Sequence, residues 1–261
     1  MGRYAIEFDT DTNGAGYLRL NRPDVHNAFD DGMIQSLSEV LAEIEADQSV
    51  RALVVSGNGK SFSAGADLNW MKRMAGYDRA QNFADARALA GMLKQLNDLS
   101  VTTVASVQGA AMGGGVGLAS CCDIVLAADT ARFALSEVRL GLIPATISPY
   151  VIAAIGARQA RRYMQTGERF SATEAYRIGL AHQICPQDEL QSSTQTLVAS
   201  LLDCGPNARA ITKKLISEVQ LREIDDDLLD LTAKRIADVR ASDEGREGVA
   251  AFLERRKPDW N

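Results

Sequence analysis

The sequence predicts an α/β fold, with similar strand–strand–helix turns in its first half and a mostly helical second half. Three features carry that expectation. Short apolar runs alternate with longer amphipathic runs up to residue 134. Two joins from strand to helix, at residues 57–65 and 113–115, are dense in glycine. From Glu189 onward the apolar spacing is helical and no strand pattern appears.

Taken in order, residues 4–8 and 17–20 flank a turn-rich stretch at 9–16 and read as a hairpin. Asp30 or Asp31 caps a helix to about residue 45, with Met33, Leu37, Val40, Leu41 and Ile44 on one face. Residues 52–56 form a short apolar strand, followed by the Gly/Ser loop at 57–65. Helices follow at 68–74 and 80–99, then a β-branched buried strand at 101–107. The glycines at 113–115 lead into a helix ending near Cys122, and two more strands stand at 123–127 and 131–134. Ser171 and Glu174 have capping-box spacing, with Gly179 as the stop. Gly205 breaks the chain before Pro206 starts another helix. No flexible linker interrupts the second half, so its helices pack on the core or on a neighbouring subunit.

Composition narrows the function. The chain is 46% hydrophobic and 24% charged, ordinary for a soluble globular protein. A net charge of −6 gives no general attraction for nucleic-acid phosphates. Four cysteines, two of them adjacent at Cys121 and Cys122, make no disulfide framework and no zinc-ligand spacing. The start of the chain lacks the apolar segment of a secretory signal, and no stretch is apolar for long enough to span a bilayer. The expectation is a reduced, cytoplasmic protein without metal, nucleic-acid or membrane partners.

Three segments carry chemistry. Residues 61–68 run from a buried strand through a bend into a helix, where outward N–H groups suit an anion or a polarised carbonyl. Residues 107–118 include three successive glycines, Gly113, Gly114 and Gly115, which let backbone approach a ligand closely. They match neither the phosphate loop, which needs a following Lys, nor the dinucleotide fingerprint. In the third segment, Glu137 sits among apolar residues just after a strand, where desolvation raises a carboxyl pKa as a general acid requires. A bland alternative stays open for each: a plain turn, tight helix–strand packing, and a glutamate paired with Arg132 or Arg139.

Together these segments resemble the enoyl-CoA hydratase/isomerase family, also called the crotonase family. The likeness spans nearly the whole chain. It runs from residues 21–29 through 65–68, 113–115, 122–124, Glu137 with 141–144, and 166–175 to Gly179-Leu180. It implies a crotonase-like spiral of ββα repeats over residues 1–200 holding an acyl-CoA site. Residues 201–261 would form a C-terminal helical trimerisation region that covers the CoA site. A homotrimer or a dimer of trimers is implied, with no cofactor, because CoA arrives as part of the substrate. Carried over residue by residue, the backbone N–H groups of Ala66 and Gly114 form an oxyanion hole and Glu137 is the acid. Asn27, Ala28, Ala64, Asp67, Leu68, Gly113, Gly117 and Pro144 line the substrate and CoA pocket. Phe252 and Lys257 close over CoA, often from the next subunit.

One departure matters. Many hydratases of the family carry a first glutamate two residues after the triple glycine, and here that place is Gly117. The finer wording of residues 65–71, 113–118, 121–123 and 135–147 looks like bacterial methylglutaconyl-CoA hydratases and their isohexenylglutaconyl-CoA relatives, enzymes of leucine/isovalerate and acyclic terpene breakdown. The expectation is therefore hydration of a branched or dicarboxylic enoyl-CoA by one carboxyl. Gly117 would leave room for the substrate's distal carboxylate, and Arg73, Arg87 or Arg139 would pair with it. A Δ3-Δ2 enoyl-CoA isomerase is the first rival. A non-hydratase enzyme of the family, such as a hydrolase or decarboxylase, is the second, and a non-catalytic homologue that binds CoA esters or RNA is the third.

Overall fold

The computed structural model describes residues 5–260, so Tyr4, the expected first strand residue, lies outside the described residues. β1 (Ile6–Thr10) and β2 (Ala15–Leu20) form the expected antiparallel hairpin, with Ile6 opposite Leu20. Asp11 closes its turn by accepting from the backbone N–H groups of Asn13 and Ala15. α1 (Asp31–Ala46) is capped by Asp30, whose carboxylate accepts from Met33 N at 2.8 Å. The five residues expected on its inner face are all buried.

The chain then spirals. β3 (Ala52–Gly57) leads through the glycine loop to α2 (Leu68–Met74) and α3 (Arg79–Asp98). β4 (Thr102–Val107), β5 (Ala110–Met112) and α4 (Gly114–Cys121) form the next turn. β6 (Ile124–Ala128), β7 (Arg132–Ala134) and α5 (Ser148–Thr166) form the third. β8 (Arg169–Ser171), α6 (Ala172–Arg177) and β9 (Gln183–Cys185) complete the two sheets. The large sheet has the order β1-β2-β3-β4-β6-β9 and is parallel from β2 onward. The small sheet is β5-β7-β8, and Ser63 of the glycine loop bridges to Ala111 at its edge. Each turn thus lays one strand in the large sheet and one segment beside the small one, which is the ββα spiral.

The core sits between the large sheet and α1, α3 and α4, which pack side by side. A second apolar layer on the other sheet face is covered by α7 (Leu190–Leu202), through Leu190 and Val198. α8 (Pro206–Val219), α9 (Asp226–Ala241) and α10 (Asp243–Glu254) complete the helical end. α8 is tied to the sheet by Lys213, whose Nζ lies 2.9 Å from Asp123 Oδ2. The same carboxylate accepts from the N–H and hydroxyl of Thr103. Among the described residues no helix is long and apolar enough to cross a membrane.

The sequence reading needs small corrections here. β5, β8 and β9, each three residues long, are not expected as strands; β7, equally short, is expected because it lies in the mostly apolar run at 131–134. The proposed division at residues 200/201 falls inside the last turn of α7; the break is at Gly205, before α8. Ser171 accepts from Glu174 N, but the Glu174 side chain is taken by Arg177 and Tyr163, so the capping box is only half formed.

Candidate active site

The two glycine-rich segments lie edge to edge. Ser63 N donates to Ala110 O at 3.0 Å and Met112 N donates to Ser63 O at 2.9 Å. Just after Ser63 in the loop, Phe29 N donates to Gly65 O at 2.7 Å and Asp67 N donates to Phe29 O at 2.8 Å. That pattern is a parallel bridge between Phe29 and Ala66, and it turns the N–H of Ala66 away from Phe29. Gly114 is the first residue of α4, so its N–H has no intrahelical acceptor. No acceptor for either N–H is found among the described residues. Phe29 joins the two donors, since its ring also lies 3.2 Å from where a Cβ on Gly114 would be. Two of the glycines are required by contact: a Cβ on Gly115 would meet Ser63 O at 2.6 Å, and one on Gly65 would meet Met112 O at 3.0 Å.

Glu137 enters from the third turn of the spiral. It follows β7 at the head of a single 3-10 turn, Glu137–Leu140. Its carboxyl lies over Gly113, with Oε1 2.9 Å from where a Cβ there would stand, so any side chain at 113 would displace the acid. Gly113 itself is pinned, its N–H donating to Ala134 O at 2.8 Å. Glu137 Oε2 is buried and has no hydrogen-bond partner among the described residues. Burial pushes the Glu137 carboxyl above the usual glutamate range. Neither arginine neutralises it: Arg139 donates to Gly167 O, and Arg132 to the carbonyls of Thr130 and Ala131. The ion-paired alternative for Glu137 is thereby excluded.

The other expected site residues divide. Ala64 is exposed and Leu68 is 74% exposed, so both face outward beside Ala66. Ala28 and Pro144 are buried. Asn27 is wholly buried and spends its amide on Arg22 N, Asn58 O and Ser61 O. Its side chain holds the loop together from within. Asp67 caps α2, accepting from Asn69 N and Trp70 N, and pairs with Arg22. Burial opposes its charge, but the N–H groups of Trp70 and Asn69 and the Arg22 guanidinium hold its pKa below the usual range. Asp67 is therefore a structural carboxylate. Phe252, 82% exposed, and Lys257 belong to the end of the chain, where α10 packs on α8 and α9. Within one chain they are not on the elements that carry Glu137, Ala66 and Gly114.

Two further expectations change. Gly117 does not open room in the site, because the Ile147 side chain fills the place where its side chain would be. Arg73 is paired with Asp31 and Arg139 donates to Gly167 O, while Arg87 is exposed on α3. Trp70, Met92 and Phe133 are buried core residues, while Met71 and Met74 are half-buried. Arg22 is the residue the sequence reading passed over. It pairs at 2.9 Å with both Asp30 and Asp67, the caps of α1 and α2, and donates to Ala28 O. Its place between two capping aspartates 37 residues apart had no local signature.

Burial pushes the Cys122 thiol up to about 12 and the Cys121 thiol up as well, so neither is poised as a nucleophile. His182 Nδ1 accepts from Val125 N, and His26 shares a hydrogen bond with Ser61.

A half-buried carboxyl with one unpartnered oxygen, set over Gly113 beside the Gly114 N–H, suits a carbonyl compound that gains negative charge and exchanges a proton. A family model described as Enoyl-CoA hydratase/isomerase matches residues 10–261, and the chain belongs to that family. A crystal structure described as an enoyl-CoA hydratase from Shewanella pealeana is 44% identical with a TM-score of 0.94, covering 98% of this chain and 96% of that one. Pseudomonas aeruginosa AtuE is 38% identical with a TM-score of 0.91, covering 98% and 99%. The 2,3-dehydroadipyl-CoA hydratase of Escherichia coli is 31% identical over 245 residues, 93% of each chain.

Proposed function

We propose that the chain adds water across the 2,3-double bond of an enoyl-CoA with a 3-methyl-branched or dicarboxylic acyl chain, such as 3-methylglutaconyl-CoA. The observation that supports it is the Glu137 carboxyl, buried and unpaired at Oε2, set against Gly113 beside the free N–H of Gly114. The thioester oxygen accepts from Ala66 N–H and Gly114 N–H, and these fixed donors stabilise the charge it gains. Neutral Glu137 gives its proton to C2 while its other oxygen takes a proton from the water adding to C3. The acid is regenerated, and the product is a 3-hydroxyacyl-CoA. One carboxyl serves both steps because Gly117 supplies no second one. The E. coli relative named for a dicarboxylic enoyl-CoA supports the substrate class. On this reading no resident cofactor is needed, and the chain works as a trimer or dimer of trimers in which Phe252 and Lys257 approach the CoA of a neighbouring subunit.

A single carboxyl also suffices to move a proton between C2 and C4, so isomerisation is the second reading. Absorbance of the conjugated thioester separates them. With 3-methylglutaconyl-CoA it should fall on hydration, and Glu137→Gln should slow this by roughly 10²–10⁴-fold. If absorbance instead rises from a 3-enoyl-CoA, with no hydration of 3-methylglutaconyl-CoA or crotonyl-CoA, the protein is an isomerase.

A further inference from the structure

We propose that Ile147 determines which C3 substituent the site accepts, and that Ile147 and Gly117 form one packing unit. The proposal rests on the hydratase reading and adds to it the feature of the acyl chain that is selected. A Cβ built on Gly117 would lie 2.1 Å from Ile147 Cγ2 and 2.7 Å from Ile147 Cβ. No such approach is sterically allowed, so the isoleucine holds the space that a residue at 117 would need. Ile147 is 2% exposed and stands at the start of α5. The loop that brings it there starts at Glu137: Leu142 N donates back to Glu137 O at 3.1 Å, with Gly141 at φ 72° making the reversal.

The position of Ile147 relative to the acid follows from α4. Gly117 N donates to Gly113 O at 3.1 Å, so the two glycines are one turn apart. Glu137 lies over the first and Ile147 over the second. A thioester oxygen held by Gly114 N–H puts C1 at this end of the helix, and C2 must lie within reach of Glu137. C3 is one bond further on. Its substituent then meets the branched aliphatic side chain of Ile147, which repels a charged group and packs well against a methyl. A 3-methyl chain fits that wall, and a straight chain leaves it without contact.

The test reads binding and stability, so it does not depend on turnover. The affinities of 3-hydroxy-3-methylglutaryl-CoA and of 3-hydroxyglutaryl-CoA, which lacks only the C3 methyl, are measured by titration calorimetry for wild type and Ile147→Ala. Wild type should prefer the branched compound, and the preference should fall about tenfold in Ile147→Ala, the usual effect of one methyl contact in an apolar pocket. A ratio that stays the same or rises overturns the assignment. So does wild type that binds neither compound. The packing unit is tested by melting temperature: Gly117→Ala alone should lower it by roughly 5 °C. Gly117→Ala with Ile147→Ala should lower it by less than the sum of the single changes. Strict additivity overturns the packing claim. Loss of hydration with this binding preference intact would refute the hydratase reading while leaving Ile147 in its role.

Discussion

At the scale of single residues, Glu137 has a cost and a use in the same atoms. Its unpaired Oε2 is held out of water, which disfavours the carboxylate and favours the acid. Because its folded pKa is raised, the native state holds this proton more tightly than the unfolded chain does. The stability this adds is complete below the unfolded value of about 4.3 and is lost as pH rises through the folded value. Glu137→Gln cannot ionise and loses nothing across that window. The melting temperature of Glu137→Gln minus that of wild type should therefore increase from about pH 4 upward and then level off. In the active enzyme kcat/KM should fall as pH rises through the same pKa, since the acid form gives the proton to C2. A flat melting difference from pH 4 to 8 would mean that the carboxyl is not destabilised by burial.

At the scale of elements, the site depends on how two helix starts are held together. Asp30 caps α1 and Asp67 caps α2, and Arg22 sits between them with little exposure to water. Removing the arginine leaves two carboxylates facing each other in a poorly solvated place. Arg22→Ala should cost about 3 kcal/mol of stability. It should also lower kcat more than it raises KM, because Asp67 directly follows the donor Ala66. Arg22→Lys, which keeps the charge but not the fork, should recover part of the stability. Urea unfolding and steady-state kinetics of the three proteins decide it; equal stability would show the pairs to be ornamental. The helices and long strands of this region were legible in sequence, since α1, α2 and β3 have full apolar periods and Asp30 stands at the cap. The ion-pair hub was not, because Arg22 meets Asp67 only after the spiral folds. The blocked space at Gly117 was missed for the same reason: Ile147 is 30 residues away in sequence and arrives by a loop.

At the scale of the whole molecule, the donors and the acid come from three successive turns of one spiral, so the site is assembled only when all three stack. That order was readable from the motif sequence, as was β7, whereas β5 and β8 of the small sheet were too short to announce themselves. The helical end leaves a different kind of evidence. Val249, Phe252 and Leu253 on α10 are 59%, 82% and 74% exposed and share one helical face by their spacing. Ile224, just before α9, and Leu229, in its first turn, are 80% and 55% exposed. Apolar area of this extent is uncommon on a chain that acts alone. If these faces meet other copies, light scattering should give a mass of three or six chains. Phe252→Asp should reduce that mass while leaving helical circular dichroism unchanged, since the ring makes little contact within its own chain. The same change should raise KM for acyl-CoA if Phe252 also approaches a neighbouring subunit's CoA. A wild-type mass of one chain, with KM unaffected by Phe252→Asp, would remove the C-terminal helices from both roles and confine the site to the spiral.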